Sequence, residues 1–192
     1  MKNNIPVILA SASPRRQQLM KEAGINFLIK PANINEDFPD SLDPLKVAQH
    51  LAERKASALS NDSQSSIVVA SDTTVLIEST ILNKPEDHHD AIRMLELLSG
   101  KMHMVVTGVC ILYKSEKISF TDITKVYFKP LSIEEITFYV DNFRPFDKAG
   151  AYGIQEWIGL IGIEKIEGSY FNVMGLPIHR VYETINKLMQ MN

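Results

Sequence analysis

Cysteine, net charge and long apolar runs are all scarce in this chain of 192 residues, and each scarcity excludes something. The single cysteine, Cys110, cannot close an internal disulfide; its neighbours Val109, Ile111 and Leu112 suit a buried thiol, and a reducing, cytoplasmic setting is the expectation. The 20 Lys and Arg nearly balance 23 Asp and Glu, for a net charge of -3, so bulk charge does not hold the protein on nucleic acid or anionic lipid. Any anion must be gripped locally. No stretch approaches the ~20 apolar residues of a membrane span. The apolar run at residues 5–10, behind Lys2, is too short for a secretory leader, contains Pro6 and leads at once to Arg15 and Arg16. Internal repeats and low-complexity tracts are missing as well.

What is present is an ordinary globular composition, 45% hydrophobic and 22% charged, enough for a sizeable core in one domain spanning residues 1–192, a two-lobed one being allowed. Residues 7–10 read as a buried strand. A helix follows, with Ser13 placed to cap it, Pro14 at its first position and Gly24 at its end. A strand at 27–29 precedes a Pro-, Asn- and Asp-rich loop at 31–43. Asp43 and Pro44 then open a helix whose Val47, Leu51 and Ala58 are spaced for a buried face. Residues 67–70 form a β-branched strand that delivers Ser71 and Asp72 at its exit, before strand character resumes at 75–77.

Asp87 caps a helix with Ala91, Met94, Leu95 and Leu98 on one side, stopped by Ser99 and Gly100. Residues 105–113 and 118–128 predict a long hairpin, and Ser132 with Glu135 forms a capping box for a short helix through Val140. Residues 151–155 and 160–166 read as strands, 168–175 as a turn-rich loop, and Pro177 as the start of the last helix. The pattern predicts an α/β fold, a mixed sheet flanked by helices, with the strand order left open.

A strand running into SASPRR, residues 11–16, and then a helix start places backbone N–H groups, hydroxyls and two guanidiniums around one concavity, a means of holding phosphate. Arg15 and Arg16 sit in the first helical turn, where the helix dipole disfavours cations, and a bound anion gives them a reason to be there. A capped helix with two solvated arginines explains the segment about as well. Asp72 is placed to hold a hard cation or orient a water, against an ordinary turn aspartate. Glu36 in the acidic loop, Lys55 and Lys84 are weak candidates by pattern alone, since such residues are usually solvated. His88, His89 and His103 lack the spacing of a metal site and read as surface residues.

Taken together, ILASASPRRQQLM, ERKA, VVASDTTV, NKPEDHHDAIRMLELLSGKMHMVVTGV, DKAGAYGIQ and IEGSYFNVMGLP resemble, in order and over nearly the whole chain, the Maf family of nucleotide pyrophosphatases. The resemblance implies hydrolysis of a nucleoside triphosphate between its α and β phosphates with Mg²⁺ or Mn²⁺, in a cytoplasmic homodimer. It implies that Asp72 is the catalytic acid and a metal ligand, with Glu36 a further acidic position. Ser11, Arg15, Arg16, Lys55 and Lys84 match phosphate-contacting positions, Lys55 and Lys84 being grouped with Asp72 as catalytic. Thr73 and Gln155 match specificity positions. AYGIQ is similar to the branch acting on dTTP and UTP, and a glutamine amide offers the donor and acceptor that a thymine or uracil edge needs. Ser71 stands where alanine is usual and Glu156 where glycine is usual, which puts a carboxylate beside Gln155. The alternatives are the same reaction on 7-methyl-GTP, another phosphoryl-transfer reaction, and a nucleotide-binding regulator of septum formation with little turnover.

Overall fold

The sequence of apolar runs becomes a mixed sheet in the computed structural model, which describes residues 5–190; Lys2 lies outside them. The hydrogen-bonded order is β2-β1-β3-β5-β6-β7, with β4 pairing β3 off that path. Here β1 is Val7–Leu9, β2 Leu28–Ile29, β3 Ile67–Ile77, β4 Thr80–Leu82, β5 Met102–Tyr113, β6 Glu116–Phe128 and β7 Ile163–Glu167. The strand β1 pairs in parallel with both β2 and β3, whereas β4 on β3 and β7 on β6 are antiparallel. Contacts divide the chain into two compact units, the first made of the segment ending at Asp72, Thr107–Asp122 and the segment from Gly175 on. The second is Thr73–Val106 with Ile123–Met174.

In the first unit, β1 is buried along its length, as expected for an apolar strand between two parallel neighbours. The helix α1, Pro14–Glu22, ends in a Schellman arrangement: Gly24 takes a positive φ of 72°, and the N–H groups of Gly24 and Ile25 donate to the carbonyls of Lys21 and Met20. Ser13 occupies the N-cap of α1, but its side chain makes no capping bond. The helix α2, Pro44–Ser57, is capped by Asp43, whose side chain accepts from the Leu45 N–H at 3.0 Å.

The buried face of α2 is Val47, Ala48, Leu51, Ala52, Lys55 and Ala56; Ala58, expected there, is the exposed C-cap, and Leu59 takes the buried place beyond it. Alanines at every fourth position bring α2 close to β5, so close that a Cβ on Gly108 would stand 2.2 Å from the Gln49 nitrogen. Cys110 is buried in the same core with Ile8, Ala52, Ala56, Val68 and Ala70, and burial pushes its thiol pKa up. The last helix, α7, Ile178–Gln190, buries Val181, Ile185 and Leu188.

In the second unit, β4 folds back on β3 through a turn in which Glu78 adopts a φ of 55°. The helices α3, His88–Leu98, and α4, Ile133–Phe143, pack together. Asp87 caps α3 and the Ser132–Glu135 box caps α4, both as read from sequence; α4 runs three residues beyond Val140. Residues 151–155, expected as a strand, are instead the end of a 3-10 turn, Ala149–Ala151, and a tight turn after it. The expected strand at 160–166 begins only at Ile163; before it, Trp157–Gly162 forms α5, with Leu160 81% exposed. A short apolar run suits either state, and glycine decides here, since Gly159 lies so close to the Ile154 carbonyl that no side chain fits. The 168–175 loop holds a single helical turn, α6, Tyr170–Val173.

His103 is not a surface residue. It is 1% exposed on β5, with Nε2 2.7 Å from the Tyr152 hydroxyl and its ring edge-on to Phe128 and Tyr152. Burial lowers its pKa to about 3, so the ring is neutral.

Candidate active site

Asp72 lies inside β3 and not at a strand exit, because β3 runs unbroken from Ile67 to Ile77. Alternation along the strand is suspended there: Ile67 through Asp72 are all buried, so a carboxylate is held among apolar neighbours and needs a partner. Lys55 supplies it from α2. Its ammonium, in a residue only 8% exposed, stands 2.5 Å from Oδ1 of Asp72 and 2.6 Å from Oε1 of Glu36. Glu36 itself is exposed in the loop before α2. One buried cation therefore gathers two carboxylates from separate segments.

The SASPRR segment is built by local bonds. The buried Ser11 hydroxyl accepts from the Ser13 N–H and from Nη1 of Arg16, both at 3.2 Å. Nε of Arg16 donates to the Gly175 carbonyl at 2.8 Å, and Ser71, also buried, donates to that same oxygen at 3.2 Å. Serine at position 71 is thus a second anchor for the loop that carries Gly175. Burial lowers the pKa of the Arg16 guanidinium, Asp72 and Glu36 pull against that, and Arg15 adds to it. Arg16 feels both carboxylates and its neighbour Arg15, and Lys55 pairs with Asp72 and Glu36, so three cations stand against two carboxylates, a local positive excess able to attract an anion.

The first unit thus brings together Ser11, Arg15, Arg16, Glu36, Lys55 and Asp72. Thr73, Lys84 and Gln155 belong to the second unit. Thr73 is half-buried on β3. Lys84 is exposed in the connection from β4 to α3, where it borders an open cavity of about 560 Å³ with Asn83, Asp87, His89 and Arg93. Gln155 is exposed in the turn before α5. The neighbouring Glu156 carboxylate is not left facing solvent beside it: the Tyr139 hydroxyl donates to Oε2, and Oε1 lies 3.0 Å from Nζ of Lys148. Sequence pattern does not single out the Gly175 carbonyl, Tyr139 or Lys148, since each owes its place to partners that only the folded chain brings to it: Arg16 and Ser71, Gly153 and Glu156, and Asp147 and Glu156.

Hydroxyl, guanidinium and ammonium donors beside paired carboxylates can bind a phosphate chain and orient a water against it. Among the described residues, no group of three or more His, Cys, Asp and Glu is placed to hold a metal, and no helix is long and apolar enough to cross a membrane.

The chain is 47% identical over 97% of its length, and 85% of the relative's, to a dTTP/UTP pyrophosphatase of Cytophaga hutchinsonii. It is 49% identical over 93% of its length, and 92% of the relative's, to a dTTP/UTP pyrophosphatase of Flavobacterium psychrophilum. A HAM1 protein from Coxiella burnetii shares the fold, with a TM-score of 0.51 at 13% identity over 95% of this chain and 99% of that one. The family model described as Maf-like protein matches residues 6–188, and the chain belongs to the Maf family.

Proposed function

We propose that this protein hydrolyses nucleoside triphosphates, dTTP and UTP foremost, to the nucleoside monophosphate and pyrophosphate. The observation that carries this reading is the convergence of Asp72 and Glu36 on the buried Lys55 beside the Ser11 and Arg16 grip, in a chain nearly half identical to dTTP/UTP pyrophosphatases over 93% and 97% of its length. Ser11, Arg15 and Arg16 bind phosphate oxygens, Arg16 with its plane fixed by the Gly175 carbonyl. Lys55 orients the Asp72 carboxylate, and Asp72 takes the proton of the attacking water. Lys84 is proposed as a further phosphate contact, and Thr73 and Gln155 as specificity residues, Gln155 pairing with the base edge.

A divalent cation fits this donor set. Two carboxylates, Asp72 and Glu36, are hard oxygen ligands and would be the residues that hold Mg²⁺ or Mn²⁺. When bound, the cation would neutralise charge developing on the phosphate oxygens. We further propose a cytoplasmic homodimer.

The test is a panel of dTTP, UTP, CTP, 7-methyl-GTP and dITP with Mg²⁺ or Mn²⁺, both products being identified. Monophosphate with pyrophosphate from dTTP and UTP is expected. Orthophosphate with diphosphate overturns the reaction, preference for 7-methyl-GTP overturns the substrate, and binding without turnover returns the regulator.

A further inference from the structure

Gln155 sits in a turn whose two ends meet at one buried hydroxyl. The Glu156 N–H donates to the Gly153 carbonyl at 3.0 Å, so Ile154 and Gln155 are the two central residues. Ile154 is buried and Gln155 exposed. Tyr139, fully buried on α4, accepts from the Gly153 N–H at 3.0 Å and donates to the Glu156 carboxylate. Burial, and the Glu156 carboxylate after it, raise the phenol's pKa far above its ordinary value, so the hydroxyl keeps its proton. The other oxygen of Glu156 pairs with Lys148, which is only 7% exposed and also lies 2.7 Å from Asp147. Gly153 leaves room for this, because a Cβ there would stand 2.8 Å from the Glu156 carboxyl carbon.

Helix capping does not account for Glu156. It occupies the N-cap of α5, where Ser, Thr, Asp or Asn would serve, and its side chain makes no capping bond. Its two oxygens are used on Tyr139 and Lys148 instead. A glutamine amide matches uracil or thymine in one orientation and cytosine when flipped, so an amide on a loose turn selects weakly between them.

We infer that Tyr139, Glu156 and Lys148 form a brace that fixes the turn carrying Gln155 and thereby sets the preference for uracil and thymine over cytosine. These are positioning residues, and their role rests on the pyrimidine triphosphate reading above. The brace is tested by the equilibrium binding of UTP and CTP in EDTA, where no turnover is required, together with hydrogen exchange at the Gly153 amide. Tyr139→Phe keeps the packed ring and is expected to cut the preference for UTP by about ten-fold, the worth of one buried hydrogen bond, while speeding Gly153 exchange. In a Gln155→Ala background the same change should move the preference less than about two-fold, since the brace acts through that amide. Glu156→Gln, which loses the ion pair and keeps the shape, is expected to shift the preference in the same direction.

The inference is overturned if the wild-type protein shows no preference for UTP, or if Tyr139→Phe frees the Gly153 amide and leaves the preference intact. An equal shift without Gln155 overturns it too. Pyrophosphate release from UTP by the wild-type protein is scored separately: its absence removes the catalytic reading and leaves the binding preference as the measure of the brace.

Discussion

Lys55 holds Asp72 and Glu36 with one ammonium, and the two carboxylates differ in what they lose without it. The Asp72 side chain is 12% exposed and that of Glu36 is 53% exposed. Lys55→Met therefore strands Asp72 while Glu36 turns to water. The expected cost is about 3 kcal/mol in denaturant unfolding, and Mn²⁺ is expected to recover part of it by replacing the lost cation. Equal Mn²⁺ stabilisation of wild type and variant would separate the metal from this pair. Asp72→Asn keeps the acceptor for Lys55 and removes the charge; pyrophosphate release should fall at least about 10²-fold with the thermal midpoint nearly unchanged. At this scale the sequence exposed residue types and hid partners. Arg15 and Arg16 read equally as solvated until Arg16 met the carbonyl of Gly175, a contact spanning 159 positions.

The helix that delivers Lys55 is placed by a glycine on the neighbouring strand. Gly108 lets the backbone of α2 rest against β5 at Ala48 and Gln49, and a methyl group there would meet backbone atoms that cannot rotate away. Gly108→Ala is expected to destabilise the protein by at least about 2 kcal/mol and, by shifting α2, to weaken triphosphate binding; thermal unfolding and equilibrium binding measure the two effects. Elements with strong local signals were legible in the sequence: the caps of α2, α3 and α4, the Schellman end of α1 and the long hairpin of β5 and β6. The region 151–166 was not, because short apolar runs there carry no period of their own. Backbone contacts at Gly150 and Gly159, one with a positive φ and one against a carbonyl, decide the turns. In the site, the sequence singled out Asp72 but set it at a strand exit; its place inside a continuous strand was not legible, because the polar residues 71–74 interrupt the apolar pattern of a strand that runs unbroken from Ile67 to Ile77.

For the molecule as a whole, His103 links stability to pH. Its folded pKa of about 3 lies below the unfolded value of 6.5, so the unfolded chain takes up the proton first as pH falls. The stabilisation is complete above about pH 6.5 and is lost progressively down to about pH 3, at roughly 1.4 kcal/mol per unit. Urea unfolding at pH 7 and pH 5 should show the wild-type protein losing about 2 kcal/mol more than His103→Gln over that interval. Equal losses would place the acid sensitivity elsewhere.

The first unit is assembled from three stretches of chain and the second from the two between them, an arrangement with a consequence in time. On the ribosome the second unit has all of its residues once Met174 has emerged, while the first still lacks Gly175 and α7. Arg16, made 159 residues before Gly175, waits for its carbonyl through roughly ten to thirty seconds of synthesis at typical elongation rates. A nascent chain arrested at Met174 carries the SASPRR segment without the oxygen that fixes its guanidinium, so the phosphate grip is completed among the last steps of synthesis of these residues.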